Sequence, residues 1–251
     1  MFESAWKKNL SLVRARSRRV PTYLAGLLLM TSPAWGEKVV GKVRGYEFLR
    51  NPVWEEAKDP ENKGFSFREM VPTVPAKERQ LYPYLPKEVC LVALAKESQK
   101  AFEQVTVTIG GGGSSPVTLV VPPGTSLLFK NTDPFKHRLY GKNFDGLSVA
   151  DTLKGSSRQW KVPAAGVFEI RDERAPSLRI WVVAEPRVAA VSYPSPRGDF
   201  QLDVKEPGKY QVQAYFAGQS VGKAREFQLK NRKVKLPTIT LAKAPPAEAK
   251  K

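Results

Sequence analysis

The sequence predicts an all-β protein folded as a sandwich, and three observations carry that prediction. Beyond residue 36 the chain breaks into short runs rich in β-branched and aromatic residues, separated by Gly, Pro, Asn and Asp. Polar and apolar residues alternate with a period of two in runs such as Gln211-Val212-Gln213-Ala214, the pattern of a strand with one buried face. Helical periodicity is scarce after the leader.

Taken in chain order, residues 1–36 read as a secretory signal peptide. Lys7, Lys8, Arg14, Arg16, Arg18 and Arg19 precede an apolar run from Tyr23 to Met30, and Ala34-Trp35-Gly36 supplies a small-x-small cleavage site. The apolar run is shorter than the roughly 20 residues a membrane span needs. Val20-Pro21 follow the Arg18-Arg19 pair in place of an aromatic and a leucine, which favours the general secretory route over the twin-arginine route. No cysteine stands just after the apolar run, against a lipid anchor. The mature chain is expected to start near Glu37 and to be periplasmic or extracellular.

The whole chain carries a formal charge of +17, and removing a leader with six basic residues and one acidic residue leaves +12. Outside the cytoplasm such a charge points to an anionic envelope polymer, acidic lipid headgroups or an acidic protein partner, not to nucleic acid. Cys90 is the only cysteine, so an intrachain disulfide is excluded. Its setting, Glu88 to Ala95 (EVCLVALA), predicts a buried and inert thiol.

The candidate strands are Lys38–Val43, Val89–Leu94, Ala101–Ile109, Val117–Val121, Ser126–Asn131, Arg158–Val162, Gly166–Asp172 and Ser177–Ala184. A second set comprises Val188–Tyr193, Asp199–Val204, Lys209–Ala217 and Arg225–Leu229. Residues 51–87, rich in Pro, Glu and Lys, read as a long ordered loop with a short helix. Gly110–Ser115 (GGGGSS) lacks the Lys-Ser or Lys-Thr of a phosphate-binding loop and is followed by Pro116, so it reads as a mobile hairpin tip. Residues 230–251 read as a last extended segment running into a basic Ala/Pro/Lys-rich tail.

Within 37–185 the motifs fall in a set order: Pro123-Gly124-Thr125, Leu127-Leu128-Phe129, Asn131-Thr132-Asp133 and His137-Arg138-Leu139-Tyr140, then Gly155-Ser156-Ser157 and Pro163 to Ile170. This order resembles the cupredoxin (plastocyanin-like) family. The resemblance implies a cupredoxin-like Greek-key β-sandwich over 37–185, with a copper ligand at His137, the only histidine. It also implies a cysteine, a second histidine and an axial methionine further on. Counted back from the closing strand, Ile170, Glu173 and Pro176 stand at those three positions. A site left with one imidazole and one carboxylate lacks the soft thiolate of blue copper, so the copper site is expected to be lost. His137 is then expected to act as a hydrogen-bonding residue near Tyr140 or Asp172.

Arg197-Gly198-Asp199-Phe200 and Glu206-Pro207-Gly208-Lys209-Tyr210 resemble the carboxypeptidase regulatory-like (transthyretin-like) sandwich, implying a partial β module over 186–229.

Catalytic readings are weaker. No nucleophile elbow accompanies His137, Cys90 sits in apolar company that disfavours a thiolate, and the carboxylate pairs Glu55-Glu56 and Asp172-Glu173 show no cleft in the sequence. The sequence therefore reads as an exported, non-enzymatic protein with a structural or binding role at the cell envelope, acting through its basic surface and holding no cofactor. Two alternatives stay open: a divergent copper-binding or electron-transfer protein, and a carbohydrate-binding module stacking sugars on Trp54, Trp160, Trp181, Tyr193, Tyr215 or Phe216.

Overall fold

A computed structural model describes residues 37–58, 82–230 and 233–242. Strand β1 (Glu37–Arg44), a 3-10 turn (Tyr46–Phe48) and helix α1 (Pro52–Lys58) open the chain, and helix α2 (Leu85–Glu88) runs directly into β2 (Val89–Leu94). Next come β3 (Gln104–Gly110), β4 (Gly113–Ser115), β5 (Thr118–Val121), β6 (Ser126–Asn131), β7 (His137–Gly141), β8 (Ala150–Thr152), β9 (Ser157–Lys161), β10 (Gly166–Asp172) and β11 (Arg179–Ala184). The last group is β12 (Val188–Ser192), β13 (Asp199–Val204), β14 (Gly208–Phe216), β15 (Gln219–Leu229), β16 (Val234–Lys235) and β17 (Ile239–Thr240). The all-β sandwich read from the sequence is what the chain forms.

Strands β3 to β11, the stretch that carries the cupredoxin-like motifs, build one sandwich. A sheet of order β4-β3-β6-β9 faces a sheet of order β5-β11-β10-β7-β8. The two inner faces meet through Val107, Ile109, Leu127 and Phe129 on one side and Leu119, Leu139, Ile170 and Ile180 on the other. Alternation explains the choice: in β6 the pattern places Leu127, Phe129 and Asn131 inside and Lys130 in solvent. The chain passes from one sheet to the other between β4 and β5, across a cis Ser115–Pro116 bond.

A second sandwich packs a sheet of order β12-β2-β14-β15 against β13-β1-β16, with β17 also lying along β1. Its core includes Val39, Leu91, Leu202, Val212 and Leu229. These sheets do not follow the expected division at 185/186. β1 and β2, read from the sequence as part of the first sandwich, pair with β13 (Val39↔Leu202) and β14 (Leu91↔Ala214). The physical reason is that a period of two records which face of a strand is buried and says nothing of the strand it pairs with. The partial module expected over 186–229 is thereby completed by the N-terminal strands, and the described residues fall within one compact unit.

The sandwiches touch along β2, buried at all six positions. Leu91 and Ala93 face the second core, whereas Cys90, Val92 and Leu94 face outward onto Val120 of β5 and Val183 of β11. Polar links seal this seam: Tyr193 Oη donates to the Thr118 carbonyl at 2.9 Å, and the Ala217 N–H donates to Thr118 Oγ1 at 3.1 Å.

Several connections differ from expectation. The described residues at the two ends of loop 51–87 include two short helices, α1 and α2. Asn51 caps α1 by accepting the Val53 N–H at 2.9 Å, and its amide reaches Glu88 Oε2 at 3.3 Å, so the two ends of the loop meet. Residues 233–242 extend along β1 and bury Leu236, Ile239 and Leu241. The carbonyl of Thr240 lies so close to Gly222 that a Cβ there would sit 2.4 Å from it, and Gly222 also has φ +70°. Residues 1–36, where a signal peptide is expected, residues 59–81 of the long loop and the tail after 242 lie outside the described residues. Among the described residues no helix is long and apolar enough to cross a membrane.

Two outcomes follow from this assembly. A fragment from residue 186 to 251, lacking β1 and β2, should give a disordered NMR spectrum, whereas the chain from Glu37 onward gives dispersed amide signals. Leu91→Ala, which empties a fully buried position, should lower unfolding free energy by about 2–5 kcal/mol in denaturant titrations.

Candidate functional site

His137 opens β7, pairs in register with Thr152 of β8, and is fully buried. Both ring nitrogens face carboxylates: Nδ1 lies 3.0 Å from Asp172 Oδ2 and Nε2 lies 3.0 Å from Asp133 Oδ2. A neutral imidazole carries one N–H and satisfies one of these contacts, whereas the doubly protonated ring donates to both. Of the two partners expected from the sequence, Asp172 is in place and Tyr140 is not bonded to the ring. Asp133, the second partner, went unrecognised as one; its spacing of four residues from His137 was the signal available.

Backbone amides hold both carboxylates in position. Asp172 Oδ1 accepts the N–H groups of Arg174 and Ala175 at 2.6 and 2.8 Å, and Oδ2 accepts that of Arg138 at 3.0 Å. Asp133 accepts the Gly111 and Gly112 N–H groups at 2.6 and 3.1 Å. Burial works against the Asp133 carboxylate, but the Gly112 amide, His137 and the Gly111 amide outweigh it and hold its carboxyl below the usual range. The glycine hairpin tip is therefore tied down and not free. Gly111 and Gly112 have φ of +62° and +69°, the left-handed pair of a tight two-residue hairpin, and this geometry turns both N–H groups toward Asp133.

The other three positions counted for copper offer no ligand set. Ile170 is wholly buried in the first core, paired with Gly141 and Ile180. The Glu173 side chain is 47% exposed and lies 3.2 Å from Arg138 Nε. Pro176 is exposed and lends its carbonyl to Arg179. Both nitrogens of His137 are taken, and the two carboxylates approach it from opposite sides of the ring, so their lone pairs do not converge on one point. Among the described residues no group of three or more His, Cys, Asp or Glu is placed to hold a metal ion. The residues present do not fit a blue-copper centre.

Beside this end of the sandwich α1 is clasped to the outer face of the β10–β11 pair. Glu56 receives Arg171 at 2.9 and 3.2 Å and Arg179 at 2.8 Å, and Arg171 also bonds Glu169 at 2.6 Å. Burial disfavours the Glu56 carboxylate, yet the bonds from Arg179 and Arg171 prevail and bring its pKa down to about 2. This clasp joins residues more than a hundred positions apart, a separation that hides it from local pattern reading.

The remaining candidates are structural. Of the six aromatics considered for sugar stacking, Trp160, Trp181, Tyr215 and Phe216 are buried and Trp54 and Tyr193 are half-buried. Trp160 packs against Phe144 and Phe168 at centroid distances of 5.2 and 5.5 Å. Burial pushes the Cys90 thiol up to about 12 despite a bond from Tyr193, which keeps it protonated at neutral pH.

No family model matches the chain, and no curated protein matches it. Among solved structures it is similar to a reduced amicyanin variant, with 17% identity, covering 38% of this chain and 99% of that one, TM-score 0.30. A purple cupredoxin from Nitrosopumilus maritimus is also similar, at 20% identity, 34% and 100% coverage and TM-score 0.29. So is an amicyanin variant in its Cu(I) form, at 18% identity, 38% and 99% coverage and TM-score 0.29. Each match spans little more than a third of this chain.

The clasp carries a defined pH dependence. A carboxyl lowered from 4.5 to about 2 contributes stability that is full above pH 4.5 and is lost as pH falls toward 2. Glu56→Gln should cost about 1–3 kcal/mol at neutral pH and flatten stability between those two pH values in acid denaturation curves. His137→Ala, which leaves two carboxylates facing a void, should cost about 3–5 kcal/mol by chemical denaturation.

Proposed function

We propose that this chain is an exported, non-enzymatic scaffold of the cell envelope, whose sandwich keeps the frame of a copper protein without its copper chemistry, and whose basic surface engages an anionic partner. One observation carries the reading: the only histidine is closed between two amide-anchored carboxylates, with a carboxylate oxygen 3.0 Å from each ring nitrogen. Ile170 in place of a thiolate supports it, because a branched aliphatic side chain in the core contributes packing and no ligand.

The divergent copper-binding alternative needs His137 and Glu173 to converge. Glu173 instead sits in solvent beside Arg138, so that alternative has no observation in its favour. The carbohydrate alternative loses four of its six aromatics to the core. Attachment through charge is favoured by the +12 that remains once the leader is subtracted. Attraction of that kind is long-ranged at low salt and is screened within about 10 Å at 0.1 M.

Metal analysis of the purified chain from Glu37 onward, after incubation with Cu(II) and desalting, should return less than one equivalent of copper and no thiolate-to-copper absorption. One tightly held copper per chain would overturn the reading. Retention on an immobilised anionic polymer should fall steeply as salt is raised; retention indifferent to salt would remove the charge-driven part of the proposal.

A further inference from the structure

At the end of the first sandwich where His137 is sealed, two large apolar side chains point into solvent from adjacent loops. Phe135 is 46% exposed and Leu153 is 60% exposed. Their placement is built and not accidental. The Asn131 side-chain amide donates to the carbonyls of Phe135 and Thr152 at 2.8 and 2.9 Å, so one buried residue holds both loops side by side. The Phe135 ring rests against His137, with ring centroids 4.8 Å apart, so the clamp that excludes a metal also supports the exposed ring.

Cations surround this pair. Lys136 and Arg138 follow Phe135 in sequence, Lys154 follows Leu153, and Arg174 belongs to the loop anchored by Asp172. Lys136 meets Asp151 at 2.6 Å and Arg138 meets Glu173 at 3.2 Å, while Lys154 and Arg174 are exposed and form no ion pair with a described residue. The Asp151 carboxyl is held below its ordinary value first by its bond with Lys136 and further by the charges of Arg174 and Arg138.

We propose that this end of the sandwich docks onto an acidic lipid surface, with Phe135 and Leu153 entering the interface and Lys136, Arg138, Lys154 and Arg174 meeting the headgroups. The inference rests on the reading of an exported scaffold with an anionic partner, and it names that partner. The chemistry selects a membrane over a soluble polyanion. A charged polymer in water gains nothing from an exposed Phe and Leu, whereas a lipid interface accepts apolar side chains and attracts the cations around them. Neither term alone suffices: two apolar side chains give shallow insertion, and the cations supply attraction that depends on anionic lipid.

The test is co-sedimentation of the chain from Glu37 onward with vesicles of phosphatidylcholine alone or mixed with phosphatidylglycerol. Binding is expected to the mixed vesicles and to be weak on phosphatidylcholine alone. Leu153→Glu and Phe135→Ser should each reduce it by about tenfold or more. Lys154→Glu combined with Arg174→Glu should abolish the dependence on anionic lipid. Leu153 is the more exposed of the two, so Leu153→Glu is expected to unfold at the same temperature as the parent chain, which separates lost docking from lost fold. No binding to mixed vesicles, or binding unchanged by Leu153→Glu and Phe135→Ser, overturns the inference. If salt-sensitive retention on an anionic polymer persists in that case, the envelope-binding reading survives; if both are absent, both fall. Binding to poly-glutamate that is lost with Leu153→Glu, in the absence of vesicle binding, would make this a surface for an acidic protein and overturn the membrane assignment.

Discussion

The architecture depends on one strand having no solvent face. β2 presents Leu91 and Ala93 to one core and Cys90, Val92 and Leu94 to Val120 and Val183 of the neighbouring sandwich, so it serves as the shared wall between them. β11 answers with its own alternation, turning Ile180 and Val182 inward and Val183 toward β2. A strand buried on both faces is expected to be apolar; β2 is so throughout, and β11 is so from Ile180 onward, its one buried charge, Arg179, being paired with Glu56. With that wall in place, the N-terminal strand β1 and the C-terminal strands β16 and β17 can meet in one sheet, and the chain closes on itself across nearly its whole length.

The end of the first sandwich around His137 follows a different logic, in which buried polar groups satisfy one another. A buried imidazole between two carboxylates is stable when every remaining lone pair finds a donor, and here the backbone supplies them. Gly111 and Gly112 turn their amides onto Asp133, while Arg138, Arg174 and Ala175 turn theirs onto Asp172. Three loops are thereby fixed by one side chain. The residues that close around His137 lie beside the loops that carry Phe135 and Leu153, and the Phe135 ring rests against the imidazole itself.

How much of this was legible depended on range. Strands with strong alternation, such as Ser126–Asn131, Gly166–Asp172 and Asp199–Val204, have the bounds read from the sequence. The short strands β4 and β8 do not stand out in the sequence, and β16 and β17 do so only as one extended segment, because two or three residues carry too little pattern and hold their form only through a partner. β7 was legible as a motif and not as a strand. At the site, the absence of thiolate and second imidazole could be counted directly. Asp133 as the second clamp on His137, and Glu56 as the anchor of α1, could not be, since each is defined by a contact that folding creates.

By itself the sequence determined the fold class, the burial of Cys90 and the impossibility of an intrachain disulfide. All of these are properties of residue identity and local period. Only the tertiary structure decided which strands pair, because β1 and β13 stand far apart in the chain and are joined by complementary faces that a single strand's pattern does not encode. It also decided that His137 is bonded at both nitrogens. A side chain's partners depend on which loops the sheets bring to one end of a sandwich, and that is a matter of topology.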